Sequence, residues 1–167
     1  LFVGRLSKDK RVEPIIHAVK KGKASFEGLN LTIVGDGEEY HNLIAHEGEN
    51  VHFAGAVPPA EVKEYMKKAD ILVMNSSFEG IPMTILEAVS YGLPVVSTNV
   101  GGIGETLHFG QDSEETDGTA EGILEAIRRI RDYYDTYSKN AYRNSKAFDY
   151  RQVNRKVYGL LCSYWKE

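Results

Sequence analysis

The sequence predicts an α/β fold, a Rossmann-like parallel sheet with helices on both faces, and two observations carry this. Short apolar runs rich in Val and Ile, without polar alternation, recur about five times, which is how strands buried on both faces read. Between the runs lie longer segments in which apolar residues repeat at helical spacing; strand followed by helix, repeated, makes a parallel sheet covered on two sides. The length of 167 residues and the apolar content of 42% suffice for one hydrophobic core.

In order along the chain, the first run is Leu1 to Val3, ended by Gly4; it starts without Met or lead-in, so the chain is expected to be a piece of something longer. Val12, Ile15, Ile16 and Val19 then form the stripe of a helix. Leu31-Thr32-Ile33-Val34 is the second run, closed by Gly35, and Val51-His52-Phe53-Ala54 the third. Pro59 opens a helix with Val62, Tyr65 and Met66 on one face and Lys67-Lys68 in its last turn, where cations suit the helix dipole. Ile71 to Met74 is the fourth run; Met83 to Tyr91 reads as a helix stopped by Gly92 and Pro94; Pro94 to Ser97 is the fifth run. His108 to Gly118 reads as a polar loop, the least structured part. From Thr119 the pattern is helix only, with Ile123, Leu124, Ile127, Ile130 and Tyr134 as one stripe. Val153, Val157, Leu160, Leu161 and Tyr164 form another behind the cap Asp149. One domain over 1–167 is expected, with its terminal helices from about 119.

Composition narrows the partners. A net charge of −4 gives no electrostatic footprint for nucleic acid and no polybasic segment for a membrane surface. No apolar run approaches the ~20 residues that span a bilayer, and the first residues do not read as a basic segment followed by the apolar stretch of a signal peptide. Cys162 is the single cysteine, so an intrachain disulfide and a thiolate zinc site are excluded and the cytoplasm is the expected compartment. The five histidines show no metal-ligand spacing and all read as structural or surface groups.

In an open parallel sheet, ligands bind beyond the carboxyl ends of the strands. Gly4-Arg5 follows the first run, with Lys10 near the mouth of a helix; a planar guanidinium and a mobile ammonium there suit a diphosphate. Gly35-Asp36-Gly37 follows the second run, and Asn75 to Gly80 the fourth. Ile81, Pro82, Met83 and Thr84 then lead into a helix whose N-terminal amides favour an anion, with Pro82 suited to its first turn. Glu79 lies on the loop. With the helix starting near Met83, Glu87 is expected about two turns in, roughly 10 Å further along its axis. That separation is too large for a carboxylate dyad at one bond and fits two groups gripping different hydroxyl-bearing parts of one ligand. A diphosphate flanked by two sugars answers the description: a nucleotide sugar. Gly101-Gly102-Ile103-Gly104 lacks the spacing of a dinucleotide fingerprint and reads as a plain loop.

These residues resemble a known family. Phe2-Val3-Gly4-Arg5-Leu6 with Lys10, Leu31 to Gly37, Val51 to Gly55, Ala69-Asp70-Ile71, Glu79-Gly80-Ile81-Pro82-Met83-Thr84-Ile85-Leu86-Glu87-Ala88, Gly92 to Val96 and Gly101 to Glu105 stand in the order of one domain type. It is the C-terminal, donor-binding domain of the family 4 (group 1) retaining glycosyltransferases, one lobe of the two-lobed GT-B fold. The resemblance implies that Arg5 and Lys10 bind the donor diphosphate, Glu79 the transferred sugar near its reacting face, and Glu87 the ribose. It implies further that Gly55 to Val57 line the base, that Gly80 to Thr84 meet phosphate and sugar, and that no metal or other cofactor is required. An N-terminal acceptor domain, absent here, would complete the cleft and carry any peripheral membrane contact. The resemblance departs at Arg11, where the family often has Gly; at Asn75, where Pro commonly precedes Ser; and after Glu105, where the usual strand is not evident. A nucleotide-sugar epimerase or hydrolase, and a non-catalytic nucleotide-sugar binding module, share the diphosphate logic and stand as alternatives.

Overall fold

The computed structural model describes residues 1–149 together with 151, 153–155, 157, 158 and 162. Among them are six strands, β1 (Phe2–Val3), β2 (Leu31–Val34), β3 (Val51–Gly55), β4 (Leu72–Met74), β5 (Val95–Ser97) and β6 (Ser113–Glu115). All paired strands are parallel, in ladders β1-β2-β3 and β4-β5-β6. The ladders join at Leu1, whose carbonyl accepts from the Val73 N–H at 2.8 Å and whose amine donates to the Ile71 carbonyl at 2.9 Å. Across the sheet the order is therefore β3-β2-β1-β4-β5-β6, and the direction of winding reverses between β1 and β4.

Within residues 1–149 seven α-helices complete the layers: α1 (Val12–Gly22), α2 (Tyr40–Leu43), α3 (Pro59–Lys68), α4 (Met83–Ser90), α5 (Ile103–Thr106), α6 (Ala120–Asp132) and α7 (Tyr134–Ser145). Side chains of a strand alternate between its faces, so each strand feeds two cores. Phe2, Ile33, Val51, Val73 and Val96 pack with α1 (Ile15, Ile16, Val19) and α6 (Ile123, Ile127, Ile130). Leu72, Met74 and Val95 face the other way, onto Met66 of α3, Ile85 and Val89 of α4 and Ile103 of α5. No helix among the described residues is long and apolar enough to cross a membrane.

The structure departs from the sequence reading in four places. The segment expected as a polar loop contains β6, parallel to β5, with Ser113 and Glu114 buried. A polar strand is tolerated in a sheet when its groups are paired. Here Ser113 Oγ donates to Asp112 Oδ1 at 2.8 Å, Arg129 Nε donates to Glu114 Oε2 at 2.6 Å, and the Tyr137 hydroxyl donates to Glu114 Oε1. The second departure is α5, which replaces the plain loop expected after Gly102. The third is the stripe expected to continue through Tyr134: it breaks at Tyr133 (φ −131°, ψ 31°), and Tyr134 opens α7. The fourth concerns the last stripe. Val153 and Val157 are exposed, while Leu160, Leu161 and Tyr164 lie outside the described residues. Asp149 does act as a cap, its carboxylate accepting the Arg151 N–H at 2.8 Å.

Candidate functional site

The point where strand order reverses, between the carboxyl ends of β1 and β4, is where open α/β sheets form a crevice. Two loops leave the sheet there, Gly4 to Arg11 after β1 and Asn75 to Pro82 after β4, and backbone bonds zip them together. The Asp9 carbonyl accepts from the Ser77 N–H at 2.8 Å and from Ser77 Oγ at 3.2 Å. Asn75 Nδ2 donates to the carbonyls of Arg11 and Gly118, each at 3.1 Å, and Thr98 Oγ1 donates to the Ser76 carbonyl at 2.7 Å.

This zipper sets the central ion pair. Lys10, in a 3₁₀ turn over Lys8–Lys10, reaches Glu79 Oε1 at 2.5 Å, and Ser76 Oγ donates to the same oxygen at 2.7 Å. The two side chains are 19% and 11% exposed, so the pair is largely shielded from bulk water yet open at one edge. Asp9 Oδ2 stands 3.5 Å from the Lys10 ammonium. The Ser7 hydroxyl's hydrogen bond, aided by Lys10, holds the Asp9 carboxyl below its ordinary range. Lys10 thus faces two carboxylates, one fixed and one on the exposed rim.

Two glycines make the loop packing possible. Gly101 has φ +57°, and a Cβ there would lie 1.7 Å from the Glu79 carbonyl oxygen; next to it, the Gly102 N–H donates to the Gly80 carbonyl at 3.0 Å. The loop after β5 is therefore a seat for the backbone that carries Glu79. The sequence held a signal for this, paired glycines just beyond a strand's carboxyl end, where close backbone approach needs a missing side chain. Gly35 plays the same part below β1: a Cβ on it would sit 1.8 Å from the Gly4 carbonyl oxygen.

The other site candidates are placed as follows. Arg5, in the loop after β1, is exposed and has no ion-pair or hydrogen-bond partner among the described residues. Pro82 lies just outside α4, as its cap residue, rather than in its first turn. The Met83 and Thr84 N–H groups have no acceptor among the described residues, so the end of α4 presents free donors. Ile81 and Met83 are exposed beside Phe78, and Gly80 faces solvent. Since α4 begins at Met83, Glu87 stands about one turn in, ~6 Å along the axis rather than 10, and is exposed. Gly55 ends β3 with φ +70°, and Val57 packs against the second core. Arg11 does not join Lys10. It is the one non-glycine residue with positive φ among the described residues (φ 47°, ψ 51°), and its Nη2 donates to the Gly118 carbonyl at 3.3 Å.

Comparison with known proteins agrees with this geometry. Residues 1–145 match the family model for group 1 glycosyl transferases. Glycogen synthase from Mycobacterium tuberculosis is 30% identical over 138 residues, covering 79% of this chain and 33% of that protein. The O-antigen biosynthesis glycosyltransferase WbnH of Escherichia coli is 33% identical over 152 residues, 89% of this chain and 42% of its own. The chain thus spans between a third and a half of the length of these relatives. Among solved structures, Anabaena HepE in complex with UDP-glucose superposes with a TM-score of 0.79 at 25% identity, over 97% of this chain and 48% of that one. The pneumococcal O-GlcNAc transferase GtfA, in complex with UDP and GlcNAc, shares the fold with a TM-score of 0.83 at 18% identity, over 99% of this chain and 35% of its own. With residues 1–145 matched by that family model, the chain belongs to the group 1 glycosyl transferases.

Proposed function

We propose that this domain binds a nucleotide-diphosphate sugar and, joined to an acceptor-binding N-terminal domain, transfers the sugar with retention of configuration. The observation that carries the reading is the Lys10–Glu79 pair, which joins the loop after β1, where Arg5 has no partner among the described residues, to the loop that leads into the free amides of α4. Cations and amides aimed at one place suit a diphosphate. Glu79 is held beside them to meet the sugar hydroxyls, while Glu87, one turn along α4, is free to accept from the ribose. Gly80 to Thr84 line the phosphates and sugar, and the β3 end at Gly55 to Val57 lines the base. The relative that holds UDP-glucose supports a donor of this class.

In the transfer, the bond from the anomeric carbon to the diphosphate oxygen breaks and its electron pair stays on the diphosphate. Arg5 and Lys10 stabilise that growing charge, an effect of about 3–4 kcal/mol for one well-placed donor. The acceptor oxygen bonds to the same face of the sugar and its proton passes to a departing phosphate oxygen, so no bound metal takes part. A cytoplasmic setting fits the lone thiol.

Calorimetric titration with UDP, GDP and ADP tests the reading. At least one is expected to bind, and Arg5→Ala to weaken it by about tenfold, the worth of one charge-assisted hydrogen bond. Binding of none of the three, or equal binding by Arg5→Ala, would overturn it.

A further inference from the structure

Away from the crevice, Glu13 and His17 share one face of α1 at a four-residue spacing, and the fold brings His46 to them from the connection between β2 and β3. Both imidazoles approach the same carboxylate oxygen: His17 Nε2 lies 3.9 Å and His46 Nε2 3.8 Å from Glu13 Oε1. The three donor atoms all lie within 4.8 Å of one another. The two rings meet edge to face, their centroids 5.5 Å apart, so neither blocks the other's Nε2. We propose that Glu13, His17 and His46 form a binding site for a divalent transition metal ion such as zinc.

The donor set selects the ion. Two imidazole nitrogens and one carboxylate oxygen suit zinc, nickel or copper, whereas magnesium and calcium require mostly oxygen ligands. Tetrahedral zinc with bonds of about 2.0 Å places its ligands about 3.3 Å apart, so the two carboxylate–imidazole separations must close by about half an ångström and the imidazole–imidazole one by at most about 1.5 Å. Glu13 and His17 are more than half exposed, and rotation about their outer bonds supplies that movement. Three protein ligands leave a fourth position for water. Lys20 Nζ stands 3.5 Å from His46 Nδ1 and swings away on binding, since a metal on Nε2 puts the imidazole proton on Nδ1. Glu13 and His46 also line a cavity of about 250 Å³ shared with Ser7, Arg11 and Asn42, which gives an ion access. A bound ion clasps the start of α1, just behind the Lys10 turn, to the β2–β3 connection. Histidine spacing alone hides the site, because its local pair is a glutamate and a histidine and its third member arrives only through the fold.

Zinc titration of the full-length, chelator-stripped protein tests the site, with cobalt absorption as a report on geometry. One saturable site is expected, with tetrahedral cobalt bands, and zinc is expected to raise the melting temperature. His17→Ala and His46→Ala, both at exposed or half-exposed positions, are each expected to weaken binding by at least about tenfold and to abolish the thermal shift, ligand loss costing no less than loss of an outer partner. His41→Ala is expected to bind as the parent does, and magnesium and calcium not to compete. Absence of saturable zinc binding, or binding unchanged in both His17→Ala and His46→Ala, would overturn the proposal.

Discussion

Two carboxylates in this domain each take two donors and differ in how those donors are shared. Glu114, on β6, has both oxygens engaged, one by the Arg129 Nε at 2.6 Å and one by the Tyr137 hydroxyl, and it is 8% exposed. Glu79, on the loop after β4, takes Lys10 and Ser76 on a single oxygen, Oε1. The first is closed: every acceptor is used, which is what a buried polar group in a sheet requires. The second keeps its other oxygen without a partner among the described residues, on a loop that leads into a helix end with free amides. A satisfied buried pair holds a fold together. A half-satisfied pair at the carboxyl ends of strands is built to receive a ligand.

The largest expected effects come from exchanging the roles of these two residues. Glu79→Gln in the full-length protein is expected to lower sugar transfer by at least about 100-fold, as loss of a group facing the reacting centre does. Its melting temperature should move little, because Lys10 is reached by solvent at its edge. Glu114→Ala should do the opposite. It leaves a buried hydroxyl unpaired and is expected to cost about 2–3 kcal/mol, or roughly 5–10 °C in melting temperature for a domain of this size, with donor binding intact. Thermal melts and initial transfer rates on both variants check the pair of outcomes; a Glu79 variant that melts early while still turning over would break the distinction.

The same contrast explains what was legible in the sequence. Lys10, Glu79 and the free end of α4 could be found because strand ends are marked by apolar runs, and an α/β sheet gathers whatever follows them. Glu114 could not. Ser113-Glu114-Glu115 has the composition of a loop, and its strand exists only because Arg129 and Tyr137, fifteen and 23 positions away, satisfy Glu114 from α6 and α7. Gly101 does lie in a turn, as read, but its need for positive φ comes from the Glu79 backbone, distant in sequence. Local pattern reports which residues leave the sheet together, whereas pairing between helices and a polar strand is a tertiary fact. The start of α4 at Met83 was legible; Glu87 was placed one turn too far because the loop residues after Glu79 were counted as helix, although only Met83 to Glu87 rises along the axis.

A middle-sized effect isolates the closed side of the comparison. Burial, with the hydrogen bond and charge of Glu114, pushes the Tyr137 hydroxyl up to about 12 from the ordinary 10. The folded state therefore holds this proton more tightly than the unfolded chain. The resulting stability is fully present below pH 10 and is lost as pH rises from about 10 to 12. Tyr137→Phe is expected to cost about 1 kcal/mol at neutral pH and to show a shallower decline in stability above pH 10 than the parent, measured by urea unfolding across that range. An equally steep decline in the variant would mean that another group governs the alkaline limb.

The smallest expected effect sharpens the open side, at Arg11. A left-handed conformation costs a non-glycine residue about 1–2 kcal/mol, and here the strain accompanies a hydrogen bond from the guanidinium to the Gly118 carbonyl at 3.3 Å. Glycine would remove the strain, restore freedom to the unfolded chain and forfeit that bond, terms that nearly cancel, so Arg11→Gly should change stability by less than about 1 kcal/mol. Its informative readout is donor affinity. A third phosphate cation, once removed, would weaken nucleotide binding about tenfold, as expected for Arg5. A guanidinium engaged with Gly118 at the start of α6 leaves the diphosphate to Arg5 and Lys10, so nucleotide titration of Arg11→Gly should return an affinity within about twofold of the parent, since more than ~0.4 kcal/mol of lost binding would require direct contact with the anion.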